Sequence, residues 1–337
     1  MPSYGKEYFQ KIISSKLGSE KWKASLEVGP GLGLDNAVIK LGNQFLIVKT
    51  DPISWIPKLG AKDSAWLSIQ QLVSDFVTSG SLPKYAFFEF NLPPSLKEQE
   101  FKIYWNTMDK EMKKLGITVA GGHTGKYEGC DYTVVGGATL LGFSKKYLSP
   151  DKAQVGDLII VTKGAAIETT GIMAKIFPKT ISKTLGKSVL SKAQKYFNQI
   201  SIVNDALIGA KFASSMHDVE EGGVISAIYE VALASGNGFS ISKEEIPLSR
   251  ETKEICKLFG IKNPYSSIGG GSLILTVDSR SAKMLMEAFA RSRISASIVG
   301  RIEPRSYGFK VSNQKINYPI VDPYWNAYWR AVRAKWQ

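Results

Sequence analysis

The sequence lacks any apolar run long enough to cross a bilayer. Its longest apolar segments, LIIVT at 158–162 and SLILTV at 272–277, have the length of a strand, whereas a membrane-spanning helix needs about 20 residues. The amino-terminal stretch MPSYGKEYFQKIISSKLG is interrupted by charges throughout, which is unlike an export signal. We therefore expect no membrane segment and a cytoplasmic protein.

Cysteine and histidine are also scarce, with two of each in 337 residues. Cys130 and Cys256 lie far apart and neither belongs to a CxxC pair, which argues against a zinc knuckle or a disulfide framework. The net charge of +13 comes from lysines spread along the chain without a long basic block. This favours a solvated basic surface over nucleic-acid binding, although a nucleotide is also compatible with the charge.

The two best-known nucleotide-binding motifs are absent. Lys187 in LGKS would complete a P-loop only with a glycine at position 181, where Ile181 stands. The run GPGLGLDN at 29–36 has Asn36 in place of the third glycine of a dinucleotide fingerprint, and it precedes a strand-like segment. The sequence therefore predicts neither a Walker A site nor a Rossmann site.

The length is about right for two domains, and the pattern of strands and helices restarts near residue 149. We therefore predict an N-terminal domain at 1–148 and a C-terminal domain at 149–337. Strands and helices alternate in both halves, which indicates an α+β protein whose mixed sheets are covered by helices.

Local patterns predict three features of the N-terminal half. The spacing of apolar residues within 1–27 indicates an amphipathic lead-in helix. Gly42-Asn43 between two strand-like runs is typical of a tight hairpin turn. The segments ITVAGG at 117–122 and DYTVVGGATLLGF at 131–143 are predicted to form a second hairpin.

Three aspartates, Asp35, Asp51 and Asp75, each stand at the end of an apolar element. Carboxylate oxygens are the ligands that Mg²⁺ prefers, but surface turns and helix caps also use aspartate. Asp75 fits that second explanation least well, because an unpaired carboxylate on an apolar helix face is costly. It is expected to have a partner.

Two glycine-rich runs are candidate phosphate sites. The segments AGGHTGKYEG at 120–129 and TKGAAIETTG at 162–171 can present backbone N–H groups to phosphate, and the second leads directly into a helix. Glycines of ordinary hairpins and helix caps are an equally good explanation.

Taken in order, seven segments resemble the aminoimidazole ribonucleotide (AIR) synthetase superfamily, which includes selenophosphate synthetase, thiamine-monophosphate kinase and the hydrogenase-maturation protein HypE. The match extends from about residue 29 to 305, and its motifs most resemble those of HypE and its archaeal relatives. The segments are GLDNAVI, LIVKTDP, LVSDFVTSGSLP, GITVAGGHTGKYEG, VGDLIIVTKGAAIETTGI, MHDVEEGGVISAIYEVA and SIGGGSLILTV.

The resemblance implies a PurM-like two-domain fold. Its N-terminal mixed or antiparallel sheet would pair across a homodimer into a barrel, and its C-terminal domain would be an α/β sandwich. ATP and Mg²⁺ would lie near the subunit interface. His123 stands in the GG(D/E/H)T position of the family, and the MHDVEEGG match brings Asp218 and Glu221 to a helix start facing the same cleft.

The residue assignments follow from these matches. Mg²⁺ ligands are expected to be Asp35, Asp51 and Asp75. Catalytic roles are expected for His123, Asp75 and Asp218. The predicted nucleotide-binding residues are Gly121, Gly122, Thr124, Lys163, Gly164, Gly222 and Gly223.

The resemblance implies a HypE-like enzyme that uses ATP and Mg²⁺ to phosphorylate an oxygen of a small-molecule or protein-borne acceptor. HypE carries its substrate on a C-terminal cysteine, whereas this sequence ends AKWQ, so we expect a different acceptor. A thiamine-monophosphate kinase is the alternative, weakened because Leu34 and Asn36 flank Asp35 where such relatives have paired acids.

A third alternative is a non-catalytic nucleotide-binding assembly protein or RNA-binding protein. The tail carries Trp325, Trp329 and Trp336 among basic residues, which could stack on bases. Packing is the preferred explanation for this tail, because its aromatic residues recur at helical spacing.

Overall fold

The computed structural model describes residues 8–317 and 320–337. Its first sheet has six strands. Their order is β1-β2-β3-β6-β4-β5, with antiparallel pairing except between β4 and β5. The strands are Leu26–Val28 (β1), Ala37–Leu41 (β2), Gln44–Ser54 (β3), Tyr85–Leu92 (β4), Thr118–Lys126 (β5) and Val134–Ser144 (β6).

The second sheet has seven strands in the order β13-β12-β9-β11-β7-β10-β8. Pairing is antiparallel except between β12 and β9. The strands are Leu158–Thr162 (β7), Ser215–Asp218 (β8), Gly238–Ile241 (β9), Leu273–Val277 (β10), Ala296–Glu303 (β11), Phe309–Val311 (β12) and Gln314–Lys315 (β13).

Ten α-helices of the described chain accompany the two sheets, so the predicted mixed α+β architecture is confirmed. No helix among them combines the length and the hydropathy that a bilayer crossing requires. The helices are Gly60–Val77 (α1), Glu98–Leu115 (α2), Ile167–Ile176 (α3), Pro178–Leu185 (α4), Lys187–Lys195 (α5), Val203–Gly209 (α6), Gly223–Ala234 (α7), Arg250–Leu258 (α8), Ser279–Arg291 (α9) and Tyr324–Arg333 (α10).

Helix α1 joins the two halves of the molecule. Its apolar residues, among them Phe76, are buried in a core that also contains Phe88 of β4 in the first sheet and Leu275 of β10 in the second. The carboxyl end of α1 therefore lies where the two sheets approach each other. This placement brings Asp75, in the last turn of α1, to the boundary between the two halves.

The predicted tight hairpin turn is confirmed. Leu41 pairs with Gln44 across the two-residue turn at Gly42-Asn43, as a tight hairpin requires. Helix α2 ends at Gly116, whose φ of +70° is the left-handed conformation that glycine adopts at helix ends.

The predicted lead-in helix is wrong over the residues that the structure describes. A single π-helical turn at Phe9–Ile13 and a 3₁₀ turn at Glu20–Ser25 replace it, and neither contains a buried residue. Apolar spacing alone does not form a helix when no core surface covers the apolar face. Residues 1–7 of the prediction lie outside the described chain.

The predicted second hairpin is also wrong. Strand β5 pairs in parallel with β4, with Thr118 opposite Tyr85, while β6 lies between β3 and β4. The long crossover through α2 explains the parallel pairing. The AGGHTGKYEG segment is consequently an edge strand through Lys126 rather than a turn. Pairing of this sheet across a dimer stays a prediction.

The tail packs on the C-terminal half, as the preferred explanation of its spacing predicts. In α10, Ala327, Tyr328 and Ala331 are buried in a cluster with Phe177 and Phe259. Tyr324 and Tyr328 of the tail therefore have a structural role in the core, whereas Trp329 is exposed.

Gly33 allows a close approach between the two halves. Its φ is +72°, and a Cβ atom there would lie 2.7 Å from the Glu230 carbonyl oxygen of α7. Gly42 has a φ of +59° but open space around the Cβ position. Both glycines therefore have a left-handed backbone conformation, but only Gly33 lacks room for a Cβ atom.

We expect Gly42→Ala to reduce the free energy of unfolding by about 1–2 kcal/mol, the cost of a left-handed non-glycine residue. Gly33→Ala should lose at least about 1 kcal/mol more, because its Cβ overpacks the contact with α7. Urea unfolding of both variants measures the difference. Equal losses would show that Gly33 does not set this approach.

Candidate functional site

A cleft of about 490 Å³ lies between the two halves, within the usual size range of ligand pockets. The N-terminal half contributes the loop at 29–36, residues 48–50 of β3 and Asp75. The C-terminal half contributes His217, Glu220 and Glu230. Charged side chains from both halves therefore meet in one cavity.

The first group of charges is centred on Lys49. Its Nζ atom lies 3.0 Å from Asp75 Oδ1 and 3.8 Å from Asp51 Oδ1. Lys49 and Asp51 are two residues apart on β3 and so point to the same face. Ligand oxygens of Asp51, Asp75 and Glu220 all lie within 4.8 Å of one another, which is close enough for one ion to bind all three.

The second group is centred on His217. Its Nδ1 atom lies 2.5 Å from Asp35 Oδ1, and its Nε2 atom lies 3.1 Å from Glu230 Oε2. Asp218 Oδ1 is 4.0 Å from Nδ1. Ser226 Oγ donates a 2.9 Å hydrogen bond to the other Glu230 oxygen. This group joins the N-terminal loop at Asp35 to β8 and α7.

Burial and mutual repulsion make these carboxylates hard to ionise. Burial, followed by the charge of Asp218, raises the pKa of Asp75 well above its usual range. Burial and the charges of Glu220 and Asp35 do the same to the pKa of Asp218. A divalent cation would lower both pKa values by neutralising the cleft.

The neighbouring carboxylates also raise the pKa values of the two basic side chains, Lys49 and His217. Burial lowers the pKa of Lys49, but the charges of Asp75 and Asp51 outweigh burial and raise it overall. Burial likewise opposes charging of His217, yet Asp35 and Glu230 raise its pKa well above the usual range. Lys49 is therefore a cation at neutral pH, and the neighbouring carboxylates favour the charged form of His217.

Three buried carboxylate oxygens of the cleft have no hydrogen-bond partner among the described residues: Asp35 Oδ2, Asp75 Oδ2 and Asp218 Oδ1. Buried oxygens without a hydrogen-bond partner cost free energy unless a ligand supplies the missing interaction. Hard oxygen donors suit Mg²⁺ or Mn²⁺. The donor set therefore fits the divalent cation that the sequence resemblance implies.

Comparison with known families accounts for most of the chain. Residues 33–143 match the AIR synthase related protein, N-terminal domain. Residues 154–311 match the AIR synthase related protein, C-terminal domain. The chain belongs to the AIR synthase-related family. This confirms the predicted superfamily and its two-domain fold.

Relatives of this AIR synthase-related chain have different activities. The thiamine-monophosphate kinase of Aquifex aeolicus is 26% identical over 249 residues, covering 71% of this chain and 77% of the kinase. The carbamoyl dehydratase HypE of Bradyrhizobium diazoefficiens is 24% identical over 242 residues, covering 66% of this chain and 63% of HypE.

Solved structures share the fold over nearly the whole length. AaThiL complexed with AMPPCP and TMP superposes with a TM-score of 0.70 at 22% identity, covering 94% of this chain and 95% of that one. HypE from the HypE-HypF complex gives a TM-score of 0.71 at 16% identity, covering 93% and 99%.

Within the AIR synthase-related fold, Asn36, which follows Asp35, has a structural role. Its Nδ2 atom donates to the Asp75 carbonyl oxygen at 2.8 Å and to Thr78 Oγ1 at 3.1 Å. Asn36 therefore binds the carboxyl end of α1 and fixes the backbone that carries Asp75.

The β5 candidates do not reach the cleft of their own chain. Asp51, Ala138, Phe88 and Gly122 lie in one row across the sheet, so Gly122 is three strand spacings, about 14 Å, from Asp51. Gly121 and Thr124 lie on the same distant edge strand. His123 follows Gly122 and points to the opposite face, where Nε2 lies 2.7 Å from Tyr127 Oη.

The predicted phosphate turn at Lys163 and Gly164 is satisfied internally. Lys163 Nζ donates to three backbone carbonyls, the closest that of Ser201 at 2.7 Å, and pairs with Asp205 at 3.2 Å. The Gly164 amide donates to the Thr162 carbonyl oxygen at 2.6 Å. This turn therefore contacts other parts of its own domain, and its role as a phosphate site stays a prediction.

The predicted helix N-terminus at Gly222 and Gly223 is also occupied. The Gly222 amide donates to Asp322 Oδ2 at 2.8 Å, and the Gly223 amide donates to the Glu220 carbonyl oxygen. Burial raises the pKa of Asp322 to about 6. Glu221 accepts a 2.7 Å hydrogen bond from Trp325 Nε1, so it anchors the tail.

Sequence reasoning missed Lys49, His217, Glu220 and Glu230. Lys49 carried a usable signal, because it shares a strand face with Asp51 at a spacing of two residues. His217 and Glu220 stand within the MHDVEEGG segment beside the predicted Asp218. Glu230 had no local signal, since it reaches the cleft through the packing of α7.

Glu168 is a buried acid next to the cleft. Its two carboxylate oxygens accept hydrogen bonds from Gln71 Nε2 at 2.8 Å and from the Gly270 amide at 3.1 Å. Burial, with the charge of Glu220, raises its pKa from 4.5 to about 8. The folded chain therefore holds Glu168 protonated at neutral pH.

The pKa of Glu168 is raised on folding, so the folded state binds its proton more tightly than the unfolded state does. This contribution to the free energy of unfolding is fully present below about pH 4.5 and is lost as the pH rises to about 8. The loss is up to about 1.4 kcal/mol per pH unit. Glu168→Gln removes this dependence. Calorimetric Tm values from pH 5 to 9 should show wild type losing stability relative to the variant. A constant difference, like that expected for the exposed Glu287→Gln control, would contradict the assignment.

Proposed function

We propose that this protein is an ATP- and Mg²⁺-dependent enzyme that transfers a phosphoryl group to an oxygen of an acceptor. The observation that carries the proposal is the group of Asp51, Asp75 and Glu220 around Lys49, with an unsatisfied buried oxygen on Asp75. Phosphoryl transfer depends mainly on positioning and on neutralising charge, which is what such a group supplies.

Each residue has a distinct role in this proposal. Asp51, Asp75 and Glu220 would hold Mg²⁺, with Asp218 facing the same space from β8. Bound Mg²⁺ would neutralise the phosphate oxygens of ATP. Lys49 keeps two of the carboxylates in place before the ion binds and offers a cation to phosphate. The glycine-containing loop at 29–34 lines the cleft and would face the nucleotide.

We propose a homodimer to explain the position of His123. The sheet face that carries His123 also exposes the apolar side chains of Tyr85, Phe87 and Phe143, which a second sheet would cover. Pairing of two such faces could bring β5 of one copy toward the nucleotide of the other. His123, Gly121, Gly122 and Thr124 would then act in the partner's cleft.

The acceptor has two candidates within the family. A HypE-like acceptor would be a carbonyl or amide oxygen of a small molecule or a protein-borne group. Thiamine monophosphate is the second, favoured by the 26% identical kinase of Aquifex aeolicus. Incubation with Mg²⁺, ATP and thiamine monophosphate separates them, because the kinase alternative requires thiamine diphosphate as a product.

We expect Asp75→Asn to weaken Mg²⁺-dependent ATP binding at least about tenfold, since even indirect metal partners cost that much in affinity. Isothermal titration calorimetry with and without Mg²⁺ measures the effect. Asp109→Asn is the matched control, because Asp109 lies on α2 in a surface pair with Lys113 and should leave binding unchanged. ATP binding by Asp75→Asn at wild-type strength would refute the proposal.

A further inference from the structure

We propose that the C-terminal tail, residues 320–337, is part of the cation site, because Asp322 and Trp325 position the turn at 219–222 that carries Glu220. Both are positioning residues, since their hydrogen bonds go to the turn. The inference rests on the proposed function, because Glu220 is one of the three carboxylates assigned there to Mg²⁺.

Glu220 is the least constrained of those three carboxylates. Asp51 lies on β3 and Asp75 on α1, whereas Glu220 lies in the connection between β8 and α7. Its side chain is exposed to the cleft. The two glycines that follow the turn into α7, Gly222 and Gly223, have φ angles of +87° and +65°. Because glycine restricts the backbone least, contacts from outside the turn must hold Glu220 in place.

The tail supplies two such contacts. Asp322 Oδ2 accepts a hydrogen bond from the Gly222 amide at 2.8 Å. Trp325 Nε1 donates a hydrogen bond to Glu221 Oε1 at 2.7 Å. The tail therefore holds both residues that directly follow Glu220.

The tail can hold the turn because the tail is itself anchored. Helix α10 buries Tyr328 and Ala331 in the cluster that contains Phe177. Beyond the helix, the Gln337 carbonyl oxygen accepts a hydrogen bond from the Thr180 amide at 2.6 Å. Packing on a core stabilises a short helix more than its propensity does, so α10 gives the turn a fixed support.

Loss of the Trp325 hydrogen bond should lower cation affinity without removing a ligand. The turn would then adopt further conformations, and fewer chains would hold Glu220 near Asp51 and Asp75. The apparent affinity falls in proportion to that fraction. We expect Trp325→Phe, which removes the N–H and keeps an aromatic ring, to weaken Mn²⁺ binding about tenfold, the lower end of the range for outer partners of a metal site.

A matched pair of variants at Glu221 separates the hydrogen bond from charge. Glu221→Gln and Glu221→Ala both remove the negative charge, but only the alanine removes the oxygen that accepts from Trp325. Glu221→Ala should therefore bind Mn²⁺ more weakly than Glu221→Gln. Adding Trp325→Phe to Glu221→Ala should cause no further loss, because both changes remove the same hydrogen bond.

The experiment titrates Mn²⁺ into each full-length variant at pH 7 by calorimetry and measures the Tm of the metal-free protein. Amide hydrogen exchange without metal reports on the turn itself, and we expect faster exchange at 219–223 in Trp325→Phe. Trp329→Phe is the control, because Trp329 is an exposed ring of the same helix and should leave affinity and exchange unchanged. A role in stability alone would lower the Tm and leave the Mn²⁺ affinity of the folded protein unchanged.

Wild-type Mn²⁺ affinity in folded Trp325→Phe would overturn the proposal, and so would equal affinities in Glu221→Gln and Glu221→Ala. The Glu221 pair decides by itself if Trp325→Phe does not fold. Failure of the proposed function looks different. Wild type would then bind no Mn²⁺, or Asp75→Asn would bind it at wild-type strength, while faster exchange in Trp325→Phe would still support the hold of the tail on the turn.

Discussion

The structure depends on the burial of negative charge between two sheets. Carboxylates from both halves of the chain converge on one cleft, and burial together with their neighbours raises the pKa of Asp75 and Asp218. Lys49 and His217 offset part of this charge. Buried like charges cost free energy that packing elsewhere must supply. A bound cation would offset this cost.

The fold places these charges through a few contacts between distant segments. Helix α1 belongs to a core shared by both sheets, and Asn36 binds the carboxyl end of that helix beside Asp75. Gly33 lets the Asp35 loop approach α7. The His217 ring then connects this loop to Glu230. The geometry of the cleft is therefore a property of the interface between the halves, and either half alone would lack it.

Sequence patterns predicted the parts of this arrangement that have a local cause. Asp75 was identifiable because a carboxylate on an apolar helix face needs a partner, and Lys49 is that partner. The error at β5 arose because glycine-rich runs suit turns locally, whereas the crossover through α2 decides that this segment is an edge strand. The contacts of Lys163 with Ser201 and of Gly222 with Asp322 could not be predicted, because these partners are distant in sequence. Chain length and the restarting pattern of elements predicted two domains, and the family resemblance identified the particular two-domain fold.

The central claim is that the cleft binds a divalent cation by displacing protons. Burial and neighbouring carboxylates raise the pKa values of Asp75 and Asp218, and a bound cation lowers those values. Calorimetric titration of Mg²⁺ into the protein at pH 7, in two buffers with different heats of ionisation, measures the protons released. The account predicts net proton release on Mg²⁺ binding. Mg²⁺ binding without proton release would contradict it.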